Sequence, residues 1–144
     1  MPWLRKIQIP AAVTMVVAGA AIYLLFRSRH LLGFHLLDAL GLGAVVDCLR
    51  SSVHGVHPSE FVMFCLPDGL WTLGYILIID RILLADPLRR RLLMASVIPL
   101  LGTLSELLQY MGLMPGTFDE FDLFCYVMPY LSYLVWQSVA NNSQ

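Results

Sequence analysis

Apolar and polar positions do not alternate along this chain; they separate into long apolar blocks with polar residues gathered between them. Pro10 opens the first block, Ala11 to Phe26, an uncharged run that Ile7 and Ile9 lengthen to about 20 residues. At about 1.5 Å per residue such a helix crosses the roughly 30 Å hydrocarbon layer of a bilayer. Arg27-Ser28-Arg29-His30 stops it. Leu31 to Val46 is apolar but short, holds Gly33, Gly41 and Gly43, and places His35 and Asp38 on one helical face. An interfacial or re-entrant helix suits it as well as a span does. Asp47 to Glu60 reads as a polar loop. Phe61 to Leu66 is apolar again, and Pro67 reads as the first position of a helix running to about Leu84, with Asp68 in the first turn, where the dipole favours an acid. Asp86-Pro87 breaks this helix and Arg89-Arg90-Arg91 follows. Leu92 to Gly112 is the next span, with Pro99 as a kink point and Gly102 allowing close packing. Pro115-Gly116 turns the chain, Phe118 or Asp119 starts the last span, and that span ends near Gln137. The expected fold is all-α: one polytopic membrane helix bundle over residues 1–144, with four spans plus the interfacial or re-entrant helix, or five if Leu31–Val46 crosses.

Composition supports the same solvent. Of 144 residues, 58% are hydrophobic and 13% charged, against about 45–50% and about 25% in soluble domains. So little polar surface could not cover so much apolar surface in water. The net charge of −1 supplies no basic face for nucleic acid. Membrane lipids are the expected surroundings, and partner subunits in the membrane are a second class of contact. The start of the chain also resembles a signal peptide, with Arg5 and Lys6 before an apolar run containing Ala18-Gly19-Ala20, but that run continues through Tyr23 to Phe26, which favours a retained helix anchored by Trp3. The three cysteines, Cys48, Cys65 and Cys125, are scattered without CxxC spacing and read as small hydrophobes, not a disulfide or metal set. No cofactor is implied.

Orientation follows from basic residues. With four spans, Arg5, Lys6, Arg81, Arg89, Arg90 and Arg91 share one side, six against Arg27, Arg29 and Arg50. With five, Arg27 and Arg29 replace Arg5 and Lys6 and the score stays six to three. Both versions put the Arg89–Arg91 loop in the cytoplasm.

The candidate chemistry lies at the opposite level. Asp68 stands at the outer start of its helix. Glu106 precedes Gly112 by six residues, about 9 Å along the axis, with Gln109 one turn above it. Asp119 and Asp122 share the first turn of the last helix. Four carboxylates and an amide from three consecutive helices therefore fall near one depth by the outer leaflet. An acid inside a span faces protein or water, which makes Glu106 the most informative residue. Simpler roles compete: Asp68 and Asp119 as helix caps, and Glu106 with Gln109 as an interhelical clasp assisted by Thr103 and Ser105. No spacing demands a metal, although an all-oxygen cluster would suit Mg²⁺ or Ca²⁺. His35 with Asp38 suits an interfacial polar face, His54 and His57 lack a third ligand, and Arg89–Arg91 suits topology and anionic headgroups. Tyr126, Tyr130, Tyr133 and Trp136 follow helical spacing and read as packing and anchoring.

Leu66-Pro67-Asp68-Gly69-Leu70-Trp71, Glu106-Leu107-Leu108-Gln109 and Pro115-Gly116-Thr117-Phe118-Asp119 with Asp122 and Tyr126 resemble a group of small bacterial multi-pass membrane proteins and, more distantly, the VanZ-like family. The likeness covers about Leu66 to Tyr126, and Asp68, Glu106, Gln109 and Asp122 are the matching positions. Gly69-Leu70-Trp71 stands where that family often has Lys-x-x-His. The resemblance implies a bacterial inner-membrane protein of the cell envelope whose acids belong to one site. Together with the residue pattern, it leads to a polar acidic site at the outer leaflet engaging a lipid-linked or cationic group. A structural subunit of a larger membrane complex, or an intramembrane enzyme with Glu106 as base and Asp68 or Asp122 serving a metal or proton, are the alternatives.

Overall fold

The computed structural model describes residues 2–142, and all regular elements among them are helical. Helix α1 is Pro2–Phe26, α2 Leu32–Ala39 and α3 Gly43–Ser52. A wide π-type turn, Phe61–Cys65, leads into α4, Leu66–Ile82; α5 is Leu88–Ala95, α6 Val97–Tyr110 and α7 Glu120–Asn142. Side chains of residues 1–5, 32 and 141–144, including the expected anchor Trp3, lie outside the description. Among the described residues, three helical stretches are long and apolar enough to cross a membrane: Lys6–Phe26 with 21 residues, Phe61–Ile82 with 22 and Leu88–Tyr110 with 23. Their outward faces are apolar, as at Val17, Ile82, Leu100 and Leu101, which fits a lipid solvent.

Helix α4 is the centre of the bundle and packs against α1, α5, α6 and α7. Its neighbour α1 runs antiparallel to it and α7 parallel: Gln8, near the start of α1, reaches Leu77 and Asp80 near the end of α4, while Gly69, near the start of α4, meets Cys125 in the second turn of α7 and Asp80 meets Gln137 near the far end of both helices. One stripe of α4, Asp68-Thr72-Ile76-Asp80, repeats every fourth residue and so lies along one face. Tyr126, Tyr130, Tyr133 and Gln137 form the corresponding stripe on α7. A core of Ile76, Ala95 and Tyr133 closes the bundle toward the Asp80 end. On the other side of α4, α1 comes in closely: a Cβ on Gly74 would stand 2.7 Å from Val16 Cγ2 and 3.2 Å from the Ala12 carbonyl. Small residues at a crossing let two backbones approach in this way.

Several boundaries differ from the sequence pattern. Helix α1 begins at Pro2, so Pro10 is internal rather than a start. Pro67 is likewise preceded by helix. The Leu66 N–H bonds back five residues to the Phe61 carbonyl, and this wider turn relaxes the fit that a proline ring disturbs in a regular α-helix. Asp68 is therefore about two turns inside the Phe61–Ile82 span and does not cap its start. Leu31–Val46 is not one helix. Leu40 to Leu42 separate α2 from α3, with Gly41 at φ 75°, and at 8 and 10 residues neither helix is long enough to cross. Asp47 to Ser52, expected as loop, is the second half of α3. Asp38 does not pair with His35. It joins Asp47 around Arg29, at 3.1 and 3.3 Å. Arg50 turns back to the Leu24 and Arg27 carbonyls at 3.1 and 2.8 Å, satisfying groups that the end of α1 leaves open. The span expected from Leu92 begins at Leu88 and bends at Ser96, three residues before Pro99.

Candidate functional site

The end of the bundle that holds the start of α7 gathers most of the expected acids. Asp119 precedes α7, and its Oδ1 accepts the Phe121 N–H at 2.8 Å, the geometry of an N-cap. The backbone N–H of Asp119 itself donates to Glu106 Oε2 at 3.2 Å. Glu106, on α6, is 4% exposed, so this bond joins a buried acid to the first residue before the next helix. The other Asp119 oxygen faces the Cys65 thiol at 3.9 Å. Cys65 Sγ, an Asp119 oxygen and an Asp122 oxygen all lie within 4.8 Å of one another. Asp122 Oδ1 is buried and has no hydrogen-bond partner. An opening of about 420 Å³ beside this group is lined by Phe61, Phe64, Cys65, Phe118, Asp119 and Phe121 among others.

Asp68 stands close enough to Asp122 and Glu106 for their charges to act on it, with Arg27 as the opposing cation. Its carboxylate faces the Tyr126 hydroxyl. It also borders a separate cavity of about 360 Å³ lined by Asp68, Trp71, Thr72, Tyr75, Ile98 and Tyr126. Glu106, Asp119, Asp122 and Asp68 are thus brought into one neighbourhood, and Gln109 is not. Its amide lies against Gly116, where a Cβ would stand 2.8 Å from Gln109 Cδ, and among the described residues it makes no bond to Glu106. Gly116 has φ 129°, a conformation side chains rarely adopt, and the loop it permits occupies Gln109 in place of the expected clasp.

Two participants escape a reading by sequence. Cys65 is buried, as its apolar neighbours suggest, but its sulfur points at carboxylates instead of aliphatic groups. The π-type turn sets that direction, and no residue pattern announces it. The other is a second polar centre at the far end. Asp80 is 1% exposed. Its Oδ1 accepts Arg91 Nε at 3.0 Å, Tyr133 OH at 2.6 Å and Gln137 Nε2 at 2.8 Å, and Arg91 Nη2 as well. Its Oδ2 accepts Gln8 Nε2 at 2.8 Å. One carboxylate therefore ties α1, α4, α5 and α7. The available signal was an acid in the last turn of an apolar helix, the end the dipole disfavours, with Gln8 and Gln137 as lone amides near the ends of two other apolar runs.

No family model matches the chain, and no curated protein or solved structure matches it. The site is therefore read from its own chemistry. Its carboxylates and thiol offer acceptors and soft or hard cation ligands, its aromatic rings offer π faces, and a cation close to it, Arg27, is engaged over the Phe64 ring at 4.8 Å.

Proposed function

We propose that this is a four-span membrane protein of the bacterial cell envelope that holds a cationic group, free or lipid-linked, at the acidic cluster of Glu106, Asp119, Asp122 and Asp68. The observation that carries the reading is Asp122 Oδ1, a carboxylate oxygen buried without a partner beside three further acids and a thiol. Leaving such an oxygen unsatisfied costs about 1–3 kcal/mol, more when it is charged, and repulsion among the acids adds to that cost. A bound cation removes both penalties. Helix α7, with 23 residues, supplies the fourth crossing at about 1.5 Å per residue. Lys6, Arg81 and Arg89–Arg91 then share the Asp80 end, which the positive-inside rule places in the cytoplasm, so that the cluster faces the outer leaflet. The bacterial inner membrane as the location rests on the VanZ-like resemblance and on this charge asymmetry.

The reading is tested with the full chain in phosphatidylcholine nanodiscs, titrated with Mg²⁺, Ca²⁺, Zn²⁺ and small amines while thermal unfolding is followed. At least one class is expected to raise the melting temperature in a saturable way. Glu106→Gln keeps an acceptor for the Asp119 N–H and removes the charge, so it should fold normally while weakening that cation about tenfold or more. Stabilisation by none of the cations, or unchanged affinity in Glu106→Gln and Asp122→Asn, would sink the proposal.

A further inference from the structure

The cavity beside Asp68 has a different character from the cleft around Cys65. Asp68, Trp71, Thr72 and Tyr75 fall at positions i, i+3, i+4 and i+7 of α4 and therefore share one side of it. Ile98 of α6 and Tyr126 of α7 complete the lining. Three aromatic rings, the Asp68 carboxylate and the hydroxyl of Thr72 thus surround about 360 Å³. Two of the rings are held in place from behind: Trp71 Nε1 donates to the Val16 carbonyl at 3.2 Å and the Tyr75 hydroxyl to the Met94 carbonyl at 2.6 Å. The hydroxyl is unusual. Thr72 is 1% exposed, and its Oγ1 has no hydrogen-bond partner. In a helix a threonine commonly bonds back to the carbonyl four residues earlier, as Thr14 does to Pro10 at 2.9 Å. Thr72 does not, although it lies one turn from Asp68.

We infer that this cavity binds an organic ammonium ion bearing at least one N–H, a protonated amine whose charge pairs with Asp68, whose N–H is accepted by Thr72 Oγ1, and whose carbon atoms rest on Trp71, Tyr75 and Tyr126. Aromatic faces attract organic cations, and more strongly where water is excluded. The carboxylate distinguishes a cation from a neutral apolar guest. The hydroxyl distinguishes an N–H-bearing ammonium from a quaternary one, which has no hydrogen to give it. A bare divalent metal would find a single carboxylate here, with neutral hydroxyls as its other side-chain oxygens, a poor ligand set for Mg²⁺ or Ca²⁺. The inference deepens the cation-binding reading above and rests on it, with Asp68 as the shared residue. The amine could arrive free or as the headgroup of an aminophospholipid, and the two sources share this chemistry.

The test uses the full chain in phosphatidylcholine nanodiscs, titrated with ethylamine, tetramethylammonium and Zn²⁺, and compares them with nanodiscs containing phosphatidylethanolamine. Binding is read from melting temperature and from tryptophan fluorescence, with Trp71→Phe identifying the change due to Trp71. Ethylamine is expected to bind with a Trp71 signal and at least about tenfold more tightly than tetramethylammonium. Asp68→Asn should weaken ethylamine and tetramethylammonium alike, because both lose the counter-charge. Thr72→Val should weaken ethylamine while leaving tetramethylammonium unchanged, and Thr72→Ser should restore the ethylamine affinity. Thr72→Val also removes an unsatisfied hydroxyl, so the empty protein should be no less stable than wild type, a combination that a purely structural threonine would not give. Competition of ethylamine by phosphatidylethanolamine assigns the site to a headgroup, and its absence assigns it to a free amine. If Zn²⁺ binds through Glu106 and Asp122 and ethylamine does not bind, the cleft reading stands and the ammonium inference is wrong. If ethylamine binds equally well to Thr72→Val, the inference is wrong in the same way. If no cation binds anywhere, both fail.

Discussion

Replacing Asp80 with alanine is expected to destabilise the bundle by about 3–5 kcal/mol, the usual result of removing one member of a buried ion pair. The acceptors lost are those for Arg91, Tyr133, Gln137 and Gln8. Interhelical hydrogen bonds in membranes average only about 0.6 kcal/mol each, so the three neutral donors account for roughly 2 kcal/mol at most. The remainder comes from Arg91, whose side chain is 12% exposed and would hold its charge with no counter-ion. That division predicts an order among variants. Asp80→Asn retains acceptor capacity for Tyr133 or Gln137 and should lose less than Asp80→Ala. Adding Arg91→Met to Asp80→Ala should recover part of the loss, because the unpaired charge goes with it. Unfolding in detergent, followed by tryptophan fluorescence, reads all three. A loss under about 1 kcal/mol for Asp80→Ala would show that the pair is solvated and does not bind four helices together.

That the sequence pattern does not single out Asp80 is a question of which distances a pattern can see. Apolar blocks reveal spans because length and hydropathy are local properties, and three spans were legible in this way. Asp80 meets Gln8, Tyr133 and Gln137 at separations of 72, 53 and 57 residues, and periodicity carries no information on which faces will meet. Glu106, Asp119 and Asp122 were legible as a group because their depths agree whatever the packing, given that the helices lie side by side. Gln109 fits the same depth argument and still fails, since the backbone of a loop at Gly116, and not another helix, decides where its amide rests. Pro67 illustrates a different limit. Its preference for a helix start is sound chemistry, and the π-type turn from Phe61 to Cys65 met the same requirement by other means, moving Asp68 deeper and turning Cys65 toward the acids. Leu31–Val46 was ambiguous by length, and the chain resolves it at Gly41, the only member of that stretch with a positive φ.

Gly102→Ala should damage both the fold and the ammonium cavity, because the two share Tyr126. Glycine costs a helix about 0.5–1 kcal/mol relative to alanine, so in open space this substitution would stabilise α6. Gly102 is not in open space. A Cβ there would stand 2.7 Å from Tyr126 Cε1 and also overlap two more atoms of the same ring, closer than packed carbons approach. Overpacking of this kind costs about 1–3 kcal/mol, enough to cancel the helix gain and leave a net loss. The ring could escape only by swinging away, which takes its hydroxyl from Asp68 and one wall from the cavity. Gly102→Ala is therefore expected to lower the unfolding free energy by up to about 2 kcal/mol and to weaken ethylamine binding several-fold. Tyr126→Leu in the same chain should restore stability by relieving the overlap without restoring affinity, a coupling that a double-mutant cycle measures. Greater stability in Gly102→Ala would mean that α6 and α7 do not meet at this pair. Lost stability with full amine affinity would mean that Tyr126 forms no part of the binding wall.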